Sequence, residues 1–357
     1  MPTTIEPLQL AALPASPRVS MVVTSYNYAR FLGECLDACL GQTTPPDEIV
    51  VVDDGSTDDT WEILSGYMAR HPQVRGIRRI NGGMCASMNT GIEAATGDVV
   101  LLLDADDLPA KTRVERVVAA LQRPVEGRTA GWVHHPLRRF SESHDDLGPT
   151  PHYHASPEGW FGPQVLATAH SPVATMTSGL AFRRELLEMI GPIADDRSLA
   201  QDMQYWAAAA LLSPVAWIGE PLGRYRVHGV SDSVGGMLSS LPKVQITRRR
   251  VELIDAWLRK LLERLRPEVA SQWRALDEQP GYNWLRFLEG WLAGSGRDFG
   301  LLMKVLRHPE TRRAPLQQRV YLYSSTCLPQ SWFTAFSRFV FGASPLKAFV
   351  RRSLGRG

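Results

Sequence analysis

Two hydrophobic rhythms alternate along the first third of the chain. Val19-Ser-Met-Val-Val-Thr24, Glu48-Ile-Val-Val-Val52 and the five unbroken apolar residues Val99–Leu103 read as short strands. The last two carry no polar face, which is the signature of strands buried on both sides in the middle of a parallel sheet. Between them Phe31, Cys35, Leu36, Cys39 and Leu40 fall at helical spacing to about Gln42, and Trp61, Leu64 and Met68 do so again. Ser56 or Asp58 is placed to cap this second helix. A weaker strand spans about Val74 to Ile80. Asn81-Gly82-Gly83 then turns the chain into a short helix through Asn89 and Ile92, which Gly97 ends. Strand and helix in this alternation predict a right-handed βαβ series, an α/β fold with a Rossmann-like, mostly parallel sheet and flanking helices.

Further on, Trp132-Val-His-His-Pro136 reads as a strand and Ser141 to Pro163 as a long loop. Asp202 opens a helix that continues through Tyr205, Trp206 and an alanine run to Leu212. Arg224, Arg226 and His228 are expected to follow a short strand. Beyond about Leu241 the pattern is helical: Val244–Leu265 carries Trp257, Leu258, Leu261 and Leu262 on one face, and Tyr282–Leu292 carries Trp284, Leu285, Leu288 and Trp291. The expected organisation is a flexible leader over residues 1–17, an α/β domain over 18–240 and a C-terminal helical extension over 241–357.

Polar clusters stand where the strands end. Val99–Leu103 runs directly into Asp104, Asp106 and Asp107, followed by Pro109. Ligands of open α/β sheets bind beyond the carboxyl ends of the strands, so a site is expected here. Three neighbouring carboxylates repel one another unless a cation neutralises them, and hard divalent ions take carboxylate oxygens. A charged turn capping the helix near Lys111 is the other reading, and the buried strand in front weighs against it. Thr24–Asn27 and Asp53–Ser56 end the other two strands. Three clusters on one sheet edge are hard to explain as solvation. No basic residue adjoins Asp53 or Asp54 in sequence, which suits them to accept hydrogen bonds from a ligand. Gly55 would let the backbone approach that ligand, or else form a tight Asp-Gly turn.

Composition narrows the classes. The 357 residues suit one large domain with an appendage, and the net charge of +2 gives no basis for a nucleic-acid partner. Cys35, Cys39, Cys85 and Cys327 lack zinc-type spacing; Cys35 and Cys39 lie one turn apart on an apolar stripe and read as core, consistent with reduced, cytosolic thiols. His134, His135, His144 and His152 match no usual metal spacing. Met1–Pro17 lacks the basic start of a signal peptide. Met203–Gly219, the longest uncharged run, is broken at Ser213-Pro214 and does not read as a membrane span.

The chain resembles the family 2 glycosyltransferases, which have the GT-A fold. The resemblance rests on Thr24-Ser-Tyr-Asn27, Val51-Val-Asp-Asp-Gly-Ser-Thr-Asp58, Asn81-Gly-Gly83, Asn89-Thr-Gly-Ile92, Ala95-Thr-Gly-Asp98 and Leu101-Leu-Leu-Asp-Ala-Asp-Asp107. It continues through Ser178-Gly-Leu-Ala-Phe-Arg-Arg184, Ile190-Gly-Pro192, Gln201-Asp202 with Trp206, and Tyr225-Arg-Val-His228, covering about Val19 to Ser233 in the family's order. It implies an inverting transfer of a sugar from a nucleoside-diphosphate sugar, a UDP-sugar foremost, to a carbohydrate or lipid-linked acceptor in polysaccharide or glycoconjugate synthesis. By the same resemblance Thr24, Tyr26, Asp53 and Asp54 would hold the base and ribose. The wider donor set would add Ser25, Asn27, Gly55, Ser56, Asn81, Gly83, Asn89, Ala105 and Arg226. Asp104 would contact ribose or metal, Asp106 would bind the divalent cation (Mn²⁺ or Mg²⁺), and Asp202 would be the general base. Two positions depart from the pattern: Gln201 stands where many members have Glu, and Met88 where Arg often precedes Asn89.

His228 is a candidate metal or phosphate contact, with a structural role equally open. The basic, aromatic segment Trp332–Arg352 suits either packing on the domain or peripheral contact with the inner face of a membrane. Two other function classes remain. A haloacid-dehalogenase-like phosphatase also places Asp-x-Asp after an apolar strand, though normally at the first strand. A non-catalytic sugar-nucleotide binding module would retain the binding residues alone.

Overall fold

The computed structural model describes residues 5–150, 158–173, 175–228, 240–314 and 316–341. His152, Ser233 and the part of the basic aromatic segment beyond residue 341 lie outside them. The chain divides into two compact units, Met1–Ser231 with Trp257–Gln272, and Asp232–Ala256 with Trp273–Gly357.

In the first unit the alternation seen in sequence becomes β1 (Val19–Ser25), α1 (Ala29–Leu40), β2 (Glu48–Asp53), α2 (Thr60–Arg70), β3 (Val74–Arg78), α3 (Met84–Ala94) and β4 (Val99–Asp104). Then come β5 (Leu108–Pro109), α4 (Arg113–Gln122), β6 (Pro124–Val125), β7 (Arg128–Thr129), β8 (Trp132–His134), β9 (Arg138–Phe140), α5 (Gly162–Thr168), β10 (Leu180–Arg183), α6 (Arg184–Ile190), α7 (Gln201–Leu212), β11 (Val215–Trp217) and β12 (Gly223–Arg226). Seven strands form one sheet in the order β11-β8-β10-β4-β1-β2-β3. All its pairings are parallel except those of β10. β1, β2 and β4 are buried on both faces, as continuous apolar runs require. Cys35 and Cys39 join Leu36, Val51 and Leu101 in the core. The uncharged run Met203–Gly219 is divided between α7 and β11.

A second, three-stranded sheet, β5-β12-β9, sits just past the end of β4. Arg224 pairs with Leu108 and with Arg138, so Arg224 and Arg226 belong to β12 itself rather than following a strand. This pairing returns the chain to the acidic cluster that precedes β5.

Three expectations change. Residues 5–14 are not a loose leader: Ile5 is buried, the Leu8 N–H donates to the Leu212 carbonyl (2.8 Å) and the Ala11 N–H to Glu185 Oε2 (2.9 Å). Burial of Ile5 and Leu10 and these hydrogen bonds together hold the segment on the first unit. α5 begins inside the stretch expected to be loop. The units do not meet at one boundary near residue 240, because the last turns of α8 (Leu241–Leu265) belong to the first unit. There Trp257 Nε1 donates to the Pro192 carbonyl (3.3 Å) and Arg264 to the carbonyls of Met189 and Ile190 (2.8 and 2.7 Å).

The second unit holds the start of α8 with α10 (Pro280–Leu292), α11 (Phe299–Arg307), α12 (Pro309–Arg313), α13 (Leu316–Cys327) and α14 (Gln330–Phe341); the short α9 (Pro267–Ala270) lies in the first. Its core joins Val244, Trp284, Phe287, Leu288, Trp291, Leu302, Tyr321 and Phe333. No helix among the described residues is long and apolar enough to cross a membrane.

Candidate functional site

Sheet register aligns the three polar strand ends. Thr24 is opposite Asp104 across β1 and β4, and Ser25 is opposite Asp53 across β1 and β2. Parallel pairing brings these carboxyl ends out on one edge, with Asp104 and Asp53 flanking β1.

Asp53 is buried at the end of β2. Its Oδ1 accepts from the Ser56 N–H (2.9 Å), while Oδ2 has no hydrogen-bond partner. Arg78 Nε lies 3.4 Å from that oxygen, and Arg79 Nη1 lies 2.6 Å from Asp54 Oδ1. Both aspartates thus have a basic neighbour, contrary to their isolation in sequence. The parallel pairing of β3 with β2 places Arg78 beside Asp53. Asp54 also accepts from the N–H groups of Gly82 and Gly83 (3.0 and 2.7 Å), so its carboxylate shapes the turn that starts α3. Gly55 has φ +76°, and a Cβ there would meet Asn81 N at 2.9 Å. The close approach that needs glycine is therefore to the protein's own turn. Ser56 Oγ accepts from the Asn27 N–H (2.9 Å), and Asn27 Oδ1 accepts from the Thr57 N–H (2.8 Å). These bonds stitch the β1–α1 loop to the β2–α2 loop. Tyr26 projects beside them, exposed, and Ser25 Oγ is buried without a partner.

At β4 the Asp104 N–H donates to Ser178 Oγ (3.1 Å), and Gln201 Nε2 donates to Asp104 Oδ1 (3.2 Å) and Thr177 Oγ1 (3.2 Å). Burial, then the charges of Asp106 and Asp202, push the Asp104 carboxyl up to about 8 against the hydrogen bonds from Thr24 and Thr177. The Ala105 N–H donates to the Thr24 carbonyl, holding the turn against β1. Asp107 is raised by burial and by its two acidic neighbours. Its Oδ1 accepts from the Arg226 N–H (2.9 Å) and its Oδ2 has no partner.

Asp106 and His228 converge, with His228 Nε2 2.8 Å from Asp106 Oδ2. The imidazole packs on Phe31 and edge-on to Tyr28, whose hydroxyl hydrogen-bonds Asp106 and is raised by burial and the three acids. Arg226 donates to the Asp106 carbonyl (2.8 Å) and to Glu34 (2.6 Å), with its guanidinium over Phe31 and Phe140. These contacts fix the position of the Asp106–His228 pair, so Arg226 acts here as scaffold. One imidazole nitrogen and one carboxylate oxygen do not make a closed metal cage, and no cluster of three or more side chains able to hold a metal ion occurs among the described residues. They fit a hard cation that takes one or two protein ligands and completes its shell with substrate phosphates and water.

Asp202 lies in the first turn of α7 and is close enough to Asp104 to raise it. Asn89 anchors the approach to α7: its side chain donates to the Ile193 carbonyl (2.8 Å) and accepts from the Ile193 N–H (3.0 Å). Arg197 donates to the Asn81 carbonyl (2.6 Å) and flanks Gly83. Asn81, Gly83 and Asn89 thus bear on the segment leading to α7, and Met88 is buried. Tyr28, Glu34, Arg78, Arg79, Thr177 and Arg197 had no distinguishing signal in sequence. Gln201 did, as the amide beside Asp202.

Residues 20–191 match the family described as Glycosyl transferase family 2. The chain is 28% identical over 256 residues to an uncharacterized glycosyltransferase of Nostoc sp., covering 70% of this chain and 76% of that protein. It is 36% identical over 110 residues to a chondroitin synthase of Escherichia coli, covering 31% of this chain and 16% of that enzyme. Among solved structures, S. aureus TarS 1–349 in complex with UDP superposes with a TM-score of 0.53 at 18% identity, covering 90% of each chain. The mannosyltransferase PcManGT from Pyrobaculum calidifontis, in complex with GDP-Man and Mn²⁺, superposes at 0.51 with 20% identity over 99% of this chain and 92% of that one. These likenesses identify the sheet and its helices as a GT-A fold.

Proposed function

Because the chain belongs, through residues 20–191, to glycosyl transferase family 2, we propose that this glycosyltransferase moves a sugar from a nucleoside-diphosphate sugar to an acceptor hydroxyl with inversion. The observation that carries the reading is the register that sets Asp53 and Asp104 on either side of β1, with Asp202 beside Asp104. Oδ2 of Asp53, which has Arg78 as ionic neighbour but accepts no hydrogen bond, suits an N–H of the base or a ribose hydroxyl, with the β1 end from Thr24 to Asn27 beside it. UDP is the first nucleotide to test, since similar proteins are solved with UDP, UDP-GlcNAc and GDP-Man.

The donor needs its diphosphate charge balanced before it can leave. Asp106 and His228 would hold a Mn²⁺ or Mg²⁺ ion there, which when bound neutralises the leaving diphosphate. Asp202 takes the proton from the acceptor hydroxyl as that oxygen attacks the anomeric carbon and the bond to the diphosphate breaks. One in-line displacement inverts the centre. Gln201, neutral where a second acid would raise the local negative charge, holds Asp104 through its amide. The acceptor class that follows is a carbohydrate or lipid-linked sugar at the inner face of a membrane, with the C-terminal region providing peripheral contact.

The test is a calorimetric screen of sugar nucleotides with and without Mn²⁺ or Mg²⁺, followed by transfer and hydrolysis assays. Binding with turnover is expected. Failure to bind any nucleoside diphosphate would overturn the reading, and binding without transfer or hydrolysis would leave a binding module.

A further inference from the structure

The last helices carry a charge and an apolar surface that the transfer chemistry does not use. Residues 299–357 contain ten lysines and arginines and one acid, Glu310, whereas the preceding 298 residues contain 29 cations and 36 acids. The near-neutral total therefore conceals a strongly basic end on an acidic body. Glu310 is itself paired with Arg274, which leaves the basic end without a competing carboxylate.

On α13 Leu316, Val320, Tyr323 and Cys327 are all exposed, the first three at 67%, 50% and 46%. Spaced at i, i+4, i+7 and i+11, they share an arc of roughly 60° on the helix. The buried residues Tyr321, Leu322 and Ser325 lie on the opposite side, packed into the unit's core. Among the described residues the helix thus has a second apolar face that stays exposed to solvent. A surface helix ordinarily shows one apolar stripe. Trp332 on α14, 69% exposed, and Phe299 and Met303 on α11 add exposed apolar side chains to the same unit, and the exposed Arg312 and Arg313 end α12 just before α13 begins.

We propose that the outer face of α13, row Leu316-Val320-Tyr323, docks onto an anionic lipid surface, the cations of this basic end meeting headgroup phosphates. An exposed apolar row within a strongly basic end of the chain matches that surface in both respects: side chains enter the acyl boundary while lysine and arginine stay at headgroup level. The charge asymmetry favours lipid over a second copy of the chain, whose face would carry the same positive charge. The inference deepens the membrane-facing part of the proposed function and is independent of the donor chemistry.

Co-sedimentation of the full chain with vesicles tests it. Binding is expected to vesicles of phosphatidylcholine with roughly a third phosphatidylglycerol, to weaken as salt rises, and to be slight with phosphatidylcholine alone. The double variant Leu316→Glu, Val320→Glu replaces the two most exposed side chains of the row and should keep the wild-type melting temperature while binding the anionic vesicles at least about tenfold more weakly. Wild-type protein that ignores the vesicles, or a double variant that binds equally, overturns the assignment. So does a concentration-dependent dimer abolished by the same variant without vesicle binding, which would give the face to a second copy. UDP titration on the same preparations reads the donor site separately, so loss of either result leaves the other interpretable.

Discussion

At the scale of single residues, three carboxylates close in sequence have separate physical situations. Asp104 is pushed up to about 8, Asp106 is engaged with an imidazole, and Asp107 is buried with one oxygen unpartnered. Asp202 is the acid in the first turn of α7, and its proposed task gives a sharp expectation. Asp202→Asn should lower turnover by about 10²–10⁴-fold with UDP affinity and melting temperature nearly unchanged, measured on one preparation. Near-normal transfer would pass the base role elsewhere. For Asp106→Asn, transfer and its dependence on added Mn²⁺ or Mg²⁺ should fall together; full wild-type activity in EDTA would remove the cation from the reading. A different titration is expected at His135. It is buried, accepts from Arg113 Nε (3.1 Å), and is held well below its ordinary value by burial and then by the Arg113 charge. The unfolded chain binds this proton below about pH 6.5 and the folded protein does not, so stability falls as pH drops through that range. The slope contributed is about 1.4 kcal/mol per pH unit while the two states differ by one proton. Against wild type, His135→Gln should flatten the acid limb of the melting-temperature profile.

At the scale of elements, the site depends on how closely helices lie against the strands that end in it. Gly91 of α3 faces β1 and β2, and a Cβ there would overlap a methyl of Val22 and crowd Val52. Gly91→Ala should therefore cost about 1–3 kcal/mol in urea denaturation, because a close-packed interior cannot absorb a methyl without shifting. Adding Val22→Ala should recover part of that loss, making the pair less than additive. Loop bonds matter as much as packing. Asp58 accepts from the Ala29 N–H (3.0 Å) and from the Thr60 N–H (3.1 Å), serving the starts of both α1 and α2. Asp53→Asn keeps an oxygen for the Ser56 N–H. It should weaken UDP binding by about 1–3 kcal/mol in metal-free calorimetry, and unchanged affinity would move the base or ribose contact away from β2.

At the scale of the whole molecule, the described residues hold one core around the sheet and another around Trp284, Trp291 and Phe333, one in each compact unit. Differential scanning calorimetry should resolve two transitions, and UDP with Mn²⁺ should raise only one of them. At a ligand concentration near 100 times the dissociation constant the gain is about 2.7 kcal/mol. A single transition that moves as a whole would show that the units unfold together.

Much of the fold and part of the site were legible in sequence because they rest on local order. Five apolar residues running into acids determine a buried strand with polar groups at its carboxyl end, since the side-chain pattern fixes which groups enter water. The order Thr24, Asp53, Asp104, Asp202 along the chain likewise carried the family and its expected roles. Pairing across the sheet was not legible, because hydrogen-bonded neighbours need not be near in sequence. Arg78 reaches Asp53 only because β3 lies parallel to β2, and His228 meets Asp106 only because β12 folds back onto β5. Tertiary contacts also converted Asp54, Gly55, Asn89 and Arg226 into builders of turns and anchors. A buried donor or acceptor takes whatever partner the fold brings within about 3 Å. The sequence determined which groups the strand ends would offer, and the tertiary structure decided which of them the protein itself would use.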